Sequence, residues 1–316
     1  MKTEARAWWV VLGVGLTVLA GGMPRLGAQA QNKDDLKKQI DIYRAASVHA
    51  GPPAMSAARA GRIWTRLGAL YEEAGMYTQS EMAFVHALRL LERPPVPEAD
   101  RARAMDELGT LYMARGDTQQ AERAEQHALA IRKAQGLKED LPRSWYHLAT
   151  LALREHRAEK ARGYAKQAVE QLRTEPGASA DDRMNALFVL AMAQCRLHRY
   201  PEAIAALNEA MGVVRSAYGP EDFPTGFGSF LLGYAYWKSG DAAAAEEPMR
   251  DGSALVVKDL GWQHPACASV MAQYEDFLRS THRKEEARAV GEELKRARET
   301  PGLGQGPETL SVLSLF

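Results

Sequence analysis

Apolar residues recur at helical spacing in residues 64–91, and this pattern predicts two helices joined by a tight turn. Trp64, Leu67 and Tyr71 are spaced i, i+3, i+7, so they share one face of the first helix. Gly75 can adopt the left-handed conformation that ends a helix and reverses the chain. A single helix pair of this kind cannot bury its apolar face alone, so we expect stacked copies.

The pattern recurs along the chain in one register, which predicts about six helix pairs. Small residues hold most positions that match Gly68, where glycine costs about 1 kcal/mol relative to alanine and therefore indicates close packing. These positions, 40 to 42 residues apart, are Gly68, Gly109, Ala149, Ala191, Gly233 and Glu275. A second series with the same spacings is Ala87, Ala128, Ala168, Ala210, Gly252 and Leu294.

The turn position recurs too, at Gly75, Gly116, His156, His198, Gly240 and His282. Histidine is enriched in left-handed conformations, so it can replace glycine there at some cost. The register therefore accounts for three of the chain's eight histidines without a metal site.

The register resembles the tetratricopeptide repeat family, whose signature the first copy carries as Trp64, Leu67-Gly68, Tyr71, Phe84 and Ala87. The period near 42 exceeds the family's usual period of about 34 residues. Residues 260–265 resemble the loop between repeats of the kinesin-light-chain type. The resemblance covers about residues 55–299 and implies an all-α, right-handed α-α superhelical solenoid of about six repeats.

The flanking segments predict export. Residues 1–30 carry Lys2 and Arg6, then an uncharged apolar run, then the small-x-small pattern Ala28-Gln29-Ala30, as a cleaved secretory signal does. The alternative is an uncleaved anchor, for which the run is short. We expect residues 31–54 to form an N-terminal capping helix, residues 55–299 the repeats, and residues 300–316 a flexible tail. The protein is therefore expected to be periplasmic or secreted.

Composition limits the function. The formal net charge is +0, which argues against nucleic acid as the main partner. The chain has only 2 cysteines, Cys195 and Cys267, which lie two copies apart and are therefore expected to be free thiols. No metalloprotease, nucleophile-elbow or phosphate-loop motif is present, so we expect no catalysis, metal or cofactor.

In this family the first helices of successive repeats line a concave groove. The resemblance and the helical wheel place ten residues on that face, arginine-rich in the early copies and aromatic in the later ones. The predicted groove residues are Arg62, Arg103, Arg143, Tyr146, Asn185, Phe188, Met192, Phe230, Tyr234 and Trp237. The alternative is that the arginines are ordinary solvated residues and the aromatic side chains belong to the core between repeats.

We expect a scaffold or adaptor that holds a peptide or a protein segment in this groove. Arginines would pair with acidic groups, and aromatic side chains would hold an apolar anchor. Two alternatives remain. The chain could be a structural subunit of an envelope or membrane-associated complex, or an enzyme whose site is assembled in the groove. Contact with a membrane is expected only through an uncleaved signal or such a complex.

Overall fold

The computed structural model describes residues 29–48, 55–92 and 96–299, where it forms thirteen α-helices and no strand. The predicted all-α class is confirmed. A short 3₁₀ turn, Lys138–Asp140, precedes the sixth helix. The helices are α1 (Gln29–Val48), α2 (Ala57–Glu73), α3 (Tyr77–Leu91), α4 (Glu98–Arg115), α5 (Thr118–Ala134), α6 (Leu141–Arg154), α7 (Ala158–Thr174), α8 (Ala180–Arg196), α9 (Tyr200–Ala217), α10 (Phe223–Lys238), α11 (Ala242–Leu260), α12 (Pro265–Ser280) and α13 (Lys284–Glu299).

From α2 onward the helices form six consecutive pairs, which we call hairpins 1 to 6, beginning with α2–α3 and ending with α12–α13. Every predicted turn residue is left-handed. The φ angles are 72° at Gly75, 81° at Gly116, 61° at His156, 57° at His198, 97° at Gly240 and 63° at His282.

The turn after α4 shows how these helices end. The amide of Gly116 donates to the Met113 carbonyl at 3.1 Å, and the amide of Asp117 donates to the Tyr112 carbonyl at 2.8 Å. These two bonds satisfy carbonyl groups that the helix itself leaves free. The other five turns repeat both bonds, including those at histidine. The prediction that histidine replaces glycine at this position is confirmed.

Helix α1 packs on hairpin 1. Ile40 is buried in one cluster with Leu67, Leu70 and Tyr71, and Arg44 Nε donates to the Tyr71 hydroxyl at 3.3 Å. The helix extends from residue 29 to residue 48, and residues 49–54 of the capping segment expected over residues 31–54 lie outside the described residues. Residues 1–28 of the signal expected over residues 1–30, and the tail expected over residues 300–316, lie outside the described residues.

Small residues let the two helices of a hairpin approach each other. A Cβ built on Gly68 would lie 2.6 Å from the ring of Phe84, so only glycine leaves room for this fully buried ring. In hairpin 6 the small residue lies on the second helix instead of the first. Glu275 stands in the small position of the first helix, and Gly291 faces it from the second, where a Cβ would lie 2.8 Å from the Glu275 carboxyl.

The described chain divides into two compact units, with the boundary between Leu151 and Ala152, inside α6. The N-terminal unit contains α1 to α5 and most of α6. The C-terminal unit contains the end of α6 and all helices from α7 to α13. Among the described helices, none combines the length and the apolar character needed to cross a bilayer.

Candidate functional site

Six of the predicted groove residues are core residues, so the expectation that they are exposed is corrected. Their largest exposed fraction is 6%. A side chain this buried belongs to the packing between helices rather than to an open binding surface. The six are Tyr146 (5%), Asn185 (6%), Phe188 (0%), Met192 (1%), Phe230 (0%) and Tyr234 (4%).

Glycines in α10 and α11 explain this burial in the C-terminal unit. A Cβ on Gly228 would lie 2.9 Å from the Phe188 ring, and a Cβ on Gly252 would lie 2.5 Å from the Phe230 backbone nitrogen. The missing side chain at Gly228 leaves space for the Phe188 ring, and the missing side chain at Gly252 lets the backbone of α10 come close to α11. Phe188 also meets Phe227 edge-to-face at 5.9 Å between ring centroids. The Gly-Phe-Gly stretch at residues 226–228 therefore allows close packing of α10 against its neighbouring helices.

Trp237 is the one aromatic residue of the predicted set that keeps a partly exposed ring. Its ring centroid lies 5.9 Å from that of Tyr234 and 5.8 Å from that of Phe277, both in edge-to-face geometry. The ammonium of Lys238 lies 3.8 Å from the Trp237 ring centroid, within cation–π range. A cation of the protein therefore already covers part of the ring.

The three predicted arginines lie on the first helices of hairpins 1 to 3, in the N-terminal unit. Arg62 on α2 is 52% exposed, and its guanidinium donates to Asp100 at the start of α4 at 2.6 Å. Arg103 on α4 is exposed, and Arg143 on α6 is partly exposed. The structure therefore places all three at the surface, with Arg62 already paired.

Carboxyl groups stand among these arginines. Glu107 lies one turn from Arg103 and interacts electrostatically with both Arg103 and Arg143. Glu72 on α2 faces Glu107, and burial followed by this like charge raises the pKa of Glu72 to about 8. We call Arg103, Glu107 and Arg143 the arginine face. Its two arginines both interact electrostatically with its one acidic residue, Glu107.

A buried polar cluster, which the sequence analysis missed, joins hairpin 2 to α6. The guanidinium of Arg132 binds both carboxylate oxygens of Asp106, at 2.9 Å for Nη1 to Oδ1, and Nη1 donates to Ser144 Oγ at 2.5 Å. His147 Nδ1 lies 2.8 Å from Glu125 Oε1. Asp106, Glu125, Arg132 and His147 have side chains that are at most 4% exposed.

The repeat register indicates this cluster, because charged residues stand at positions that are apolar in hairpin 1. Glu125 lies 41 residues after Phe84, and Arg132 lies 41 residues after Leu91, so each replaces a buried apolar residue of hairpin 1. A charged residue at an apolar position of a repeat requires a buried partner. Gly109 makes the room, since a Cβ there would lie 2.8 Å from Glu125 Oε1.

Burial controls the ionisation of the cluster. It raises the pKa of Glu125 to about 8 and lowers the pKa of His147 to about 4. It also raises the pKa of Asp106 to about 6, helped by the charge of Glu125 and opposed by Arg132. Each shift favours the uncharged form, as expected for groups removed from water.

Asp106, Glu125 and His147 offer oxygen and nitrogen atoms within 4.8 Å of one another, a combination that can hold a metal ion. Arg132 argues against that use. Its guanidinium already occupies both oxygens of Asp106, so a divalent cation would lie beside a fixed positive charge. We therefore interpret the cluster as a buried polar core in which Arg132 is the cation that pairs with Asp106.

The C-terminal unit has a cavity of about 310 Å³ between α7, α8 and α9. Its floor is apolar, with Val169, Leu190 and Ala206. Its rim mixes both signs of charge, and Arg173 Nε donates across it to Glu209 Oε1 at 3.1 Å. Because the rim carries internal ion pairs, the cavity has no clear charge preference.

Both cysteines are free and buried, as predicted. Burial raises the pKa of each thiol to about 12. A thiol that is protonated and closed to solvent is a poor nucleophile. Cys195 and Cys267 are therefore packing residues of the C-terminal unit.

The sequence matches the family model described as tetratricopeptide repeat over residues 59–134, 140–216 and 182–256. Together these ranges cover more than half of the chain. Among curated proteins, no relative matches it.

Solved structures of low sequence identity share the fold. The apo form of RapI is 12% identical, with a TM-score of 0.66, over 86% of this chain and 95% of that one. A Rap protein complexed with competence and sporulation factor is 16% identical, with a TM-score of 0.54, over 76% of each chain. A putative kinesin light chain of Podosopora anserina, with nearly identical TPR-like repeats, is 20% identical, with a TM-score of 0.52, over 64% of this chain and 96% of that one.

Proposed function

Because the chain belongs to the tetratricopeptide repeat family, we propose that it is an exported scaffold that binds an acidic segment of another protein. Hairpins of this kind commonly present their first helices as an extended binding surface. The likeness to a Rap protein complexed with competence and sporulation factor supports a binding role for such a fold. Fold alone does not identify a ligand, so the chemistry of the surface has to supply it.

The observation that carries the proposal is the arginine face. Arg103 and Arg143 stand on α4 and α6, and both interact electrostatically with Glu107. The buried cluster joins both helices through α5, so it holds the backbone positions of the two arginines relative to each other. A carboxylate matches the planar fork of a guanidinium and can bind it through two hydrogen bonds. The ligand we expect is therefore a segment with two or more acidic side chains.

Export is part of the proposal and rests on residues 1–30. Their charged start, apolar run and Ala28-Gln29-Ala30 site have the form of a secretory signal. The intact mass of protein recovered from an extracytoplasmic fraction should correspond to a chain that begins near Gln31. Recovery of the full-length chain in membranes would show that the segment stays as an anchor.

The binding proposal is tested with peptides of defined charge. Fluorescence anisotropy would compare peptides that contain Glu-Glu pairs with matched peptides in which each Glu is Gln. We expect the acidic set to bind more tightly at low salt, since exposed ion pairs are screened at higher ionic strength. In the double variant Arg103→Gln, Arg143→Gln the difference between the two sets should disappear.

Arg288→Gln serves as the matched control. Arg288 is 82% exposed on α13, and its Nε donates to Glu292 at 3.0 Å. Its loss removes one exposed arginine without touching the arginine face, so acidic peptides should bind as before. If the control weakens binding as much as the double variant does, the preference reflects general charge. If neither variant changes binding of the acidic set, the arginine face is not the site.

A further inference from the structure

The buried cluster of hairpin 2 contains two carboxyl groups but a single permanent cation. Asp106 and Glu125 supply the carboxyls, Arg132 supplies the guanidinium, and His147 supplies an imidazole. None of these side chains is more than 4% exposed, so water cannot compensate an unbalanced charge.

Arg132 pairs with Asp106, while Glu125 contacts His147 and also interacts with Asp106. Both oxygens of Asp106 accept from the guanidinium, and Glu125 Oε1 lies 2.8 Å from His147 Nδ1. With Glu125 ionised and His147 neutral, a carboxylate would be buried beside a second carboxylate. One additional proton removes this imbalance, whether it resides on Glu125 or on the imidazole.

Among the described residues, two charged groups outside the cluster act on both Glu125 and His147. Glu107 faces the cluster from α4 and Arg143 faces it from α6, so their charges offset each other. Asp140, before α6, interacts with Arg132. Arg103 and Glu72 act on Glu107. The two outside groups that act on both Glu125 and His147 therefore add no net charge to the pair.

We propose that Glu125 and His147 share one extra proton that holds hairpin 2 against α6, and that this contact loosens when the proton leaves. Without the proton the cluster has two carboxylates and one guanidinium, and the Glu125–His147 hydrogen bond connects a buried anion to a neutral ring. Glu125 on α5 and Asp106 on α4 then repel each other inside the core. The core of hairpin 2 is thus a pH-sensitive contact.

The pKa values agree with one shared proton. The pKa of Glu125, raised by burial to about 8, places the loss of the proton near pH 8. The pKa of His147, lowered by burial to about 4, means that a second proton is not taken up until strong acid. The pair therefore holds one extra proton from about pH 4 to about pH 8. We therefore expect the contact between hairpin 2 and α6 to loosen as the pH rises towards about 8.

Infrared spectroscopy of the whole chain tests the proton directly. A buried protonated carboxyl has a C=O absorption distinct from that of a carboxylate, and the imidazole bands report the alternative location of the proton. The wild-type spectrum minus that of Glu125→Gln should contain a protonated-carboxyl or imidazolium band at pH 6.5, and the band should be lost by pH 9. Glu72 and Glu107 are present in both proteins, so they cancel in the difference. A difference spectrum with a carboxylate and a neutral ring at pH 6.5 would overturn the proposal.

Hydrogen exchange tests the loosening. After correction for intrinsic exchange, the opening constant of amides in α5 and in α6 up to residue 151 should rise about tenfold per pH unit between pH 6.5 and 8 in the wild type. Glu125→Gln keeps a side chain that can donate to His147 and should remove this rise. Glu275→Gln is the matched control, since Glu275 also faces a glycine but pairs with Arg279 on its own helix, and it should keep the rise.

Two results would contradict the loosening. The first is an opening constant that follows pH equally in the wild type and in Glu125→Gln. The second is protection of α5 and α6 that increases on addition of Zn²⁺ in the wild type and not in Glu125→Gln. That result would show that Asp106, Glu125 and His147 hold a cation in place of the proton.

Discussion

In hairpin 1 the ring of Phe84 fills the space over Gly68, whereas in hairpin 2 the carboxyl of Glu125 fills the matching space over Gly109. Leu91 and Arg132 form a second such pair of matching positions. The backbones follow the same register, with left-handed turns at Gly75 and Gly116. This repeat therefore requires a filled space at these positions but not an apolar one, provided that each buried charged group has a partner.

The largest expected effect comes from removing the cation of hairpin 2. Arg132→Leu restores the residue type of hairpin 1 but leaves Asp106 and Glu125 buried without compensation. Breaking a buried ion pair on one side costs about 3–5 kcal/mol. Urea denaturation should show a loss of this size in the free energy of unfolding.

The control variant replaces at once the three charged residues that hairpin 2 contributes to the buried cluster. Asp106→Thr, Glu125→Phe and Arg132→Leu together copy Thr65, Phe84 and Leu91 of hairpin 1. Well-packed apolar residues can replace a buried ionic cluster at little cost, so the triple variant should be more stable than Arg132→Leu alone. If it is less stable than the single variant, the two hairpins do not share one packing scheme.

A smaller effect is expected from filling the small positions. Gly68→Ala would place a Cβ 2.6 Å from the Phe84 ring, and Gly109→Ala would place one 2.8 Å from a carboxyl oxygen. Overpacking of this kind costs about 1–3 kcal/mol. The rigid ring has less room to move than a carboxyl, so thermal denaturation should show a larger loss for Gly68→Ala. Equal Tm values for the two variants would mean that the carboxyl is held as rigidly as the ring.

The smallest effects concern the turns. Gly116→Ala puts a Cβ on a residue with φ of 81° and should destabilise by about 1–2 kcal/mol. His282→Gly removes a side chain from a residue in the same left-handed conformation, with φ of 63°. It should stabilise the fold by at most about 1 kcal/mol. Opposite signs in calorimetry would support one turn geometry across the hairpins, and a loss in both variants would contradict it.

The sequence predicted the features that depend only on residue spacing within one hairpin. The helix pairs, the small positions and the left-handed histidines follow from the register, because each is decided within one hairpin. Phe188 and Phe230 were misplaced because their exposure depends on glycines of α10 and α11, which a helical wheel of one helix does not include. The link between Glu125 and His147 was missed for the same reason, since the partner lies on the following hairpin.

The residues of the candidate site also differ in how well their exposure could be predicted from the sequence. Arg103 and Arg143 could be placed at the surface from sequence because the repeat register puts them off the face that Trp64, Leu67 and Tyr71 occupy in hairpin 1. Trp237 could not, because its neighbours Tyr234, Lys238 and Phe277 decide how much of the ring remains accessible. Surface charge is thus the more predictable part of a binding face in this repeat.

The pH dependence of global stability tests the account of hairpin 2 most directly. The raised pKa of Glu125, about 8 in the folded chain against an ordinary value of 4.5, means that folding takes up a proton, so stability falls as pH rises through that interval. His147, with a pKa lowered from 6.5 to about 4, acts in the opposite direction only below about pH 6.5, and the raised pKa of Asp106 acts only up to about pH 6. The informative window is therefore pH 6.5 to 8, where one proton corresponds to about 1.4 kcal/mol per pH unit.

Urea denaturation of the wild type and Glu125→Gln at pH 6.5 and pH 8 makes this measurement. Glu72, whose pKa is also raised to about 8, contributes equally to both proteins, so the difference between them isolates Glu125. We predict that between these pH values the wild type loses about 2 kcal/mol more stability than Glu125→Gln does. Equal losses in the two proteins would show that Glu125 is already ionised in the folded chain, which would contradict a proton-holding core in hairpin 2.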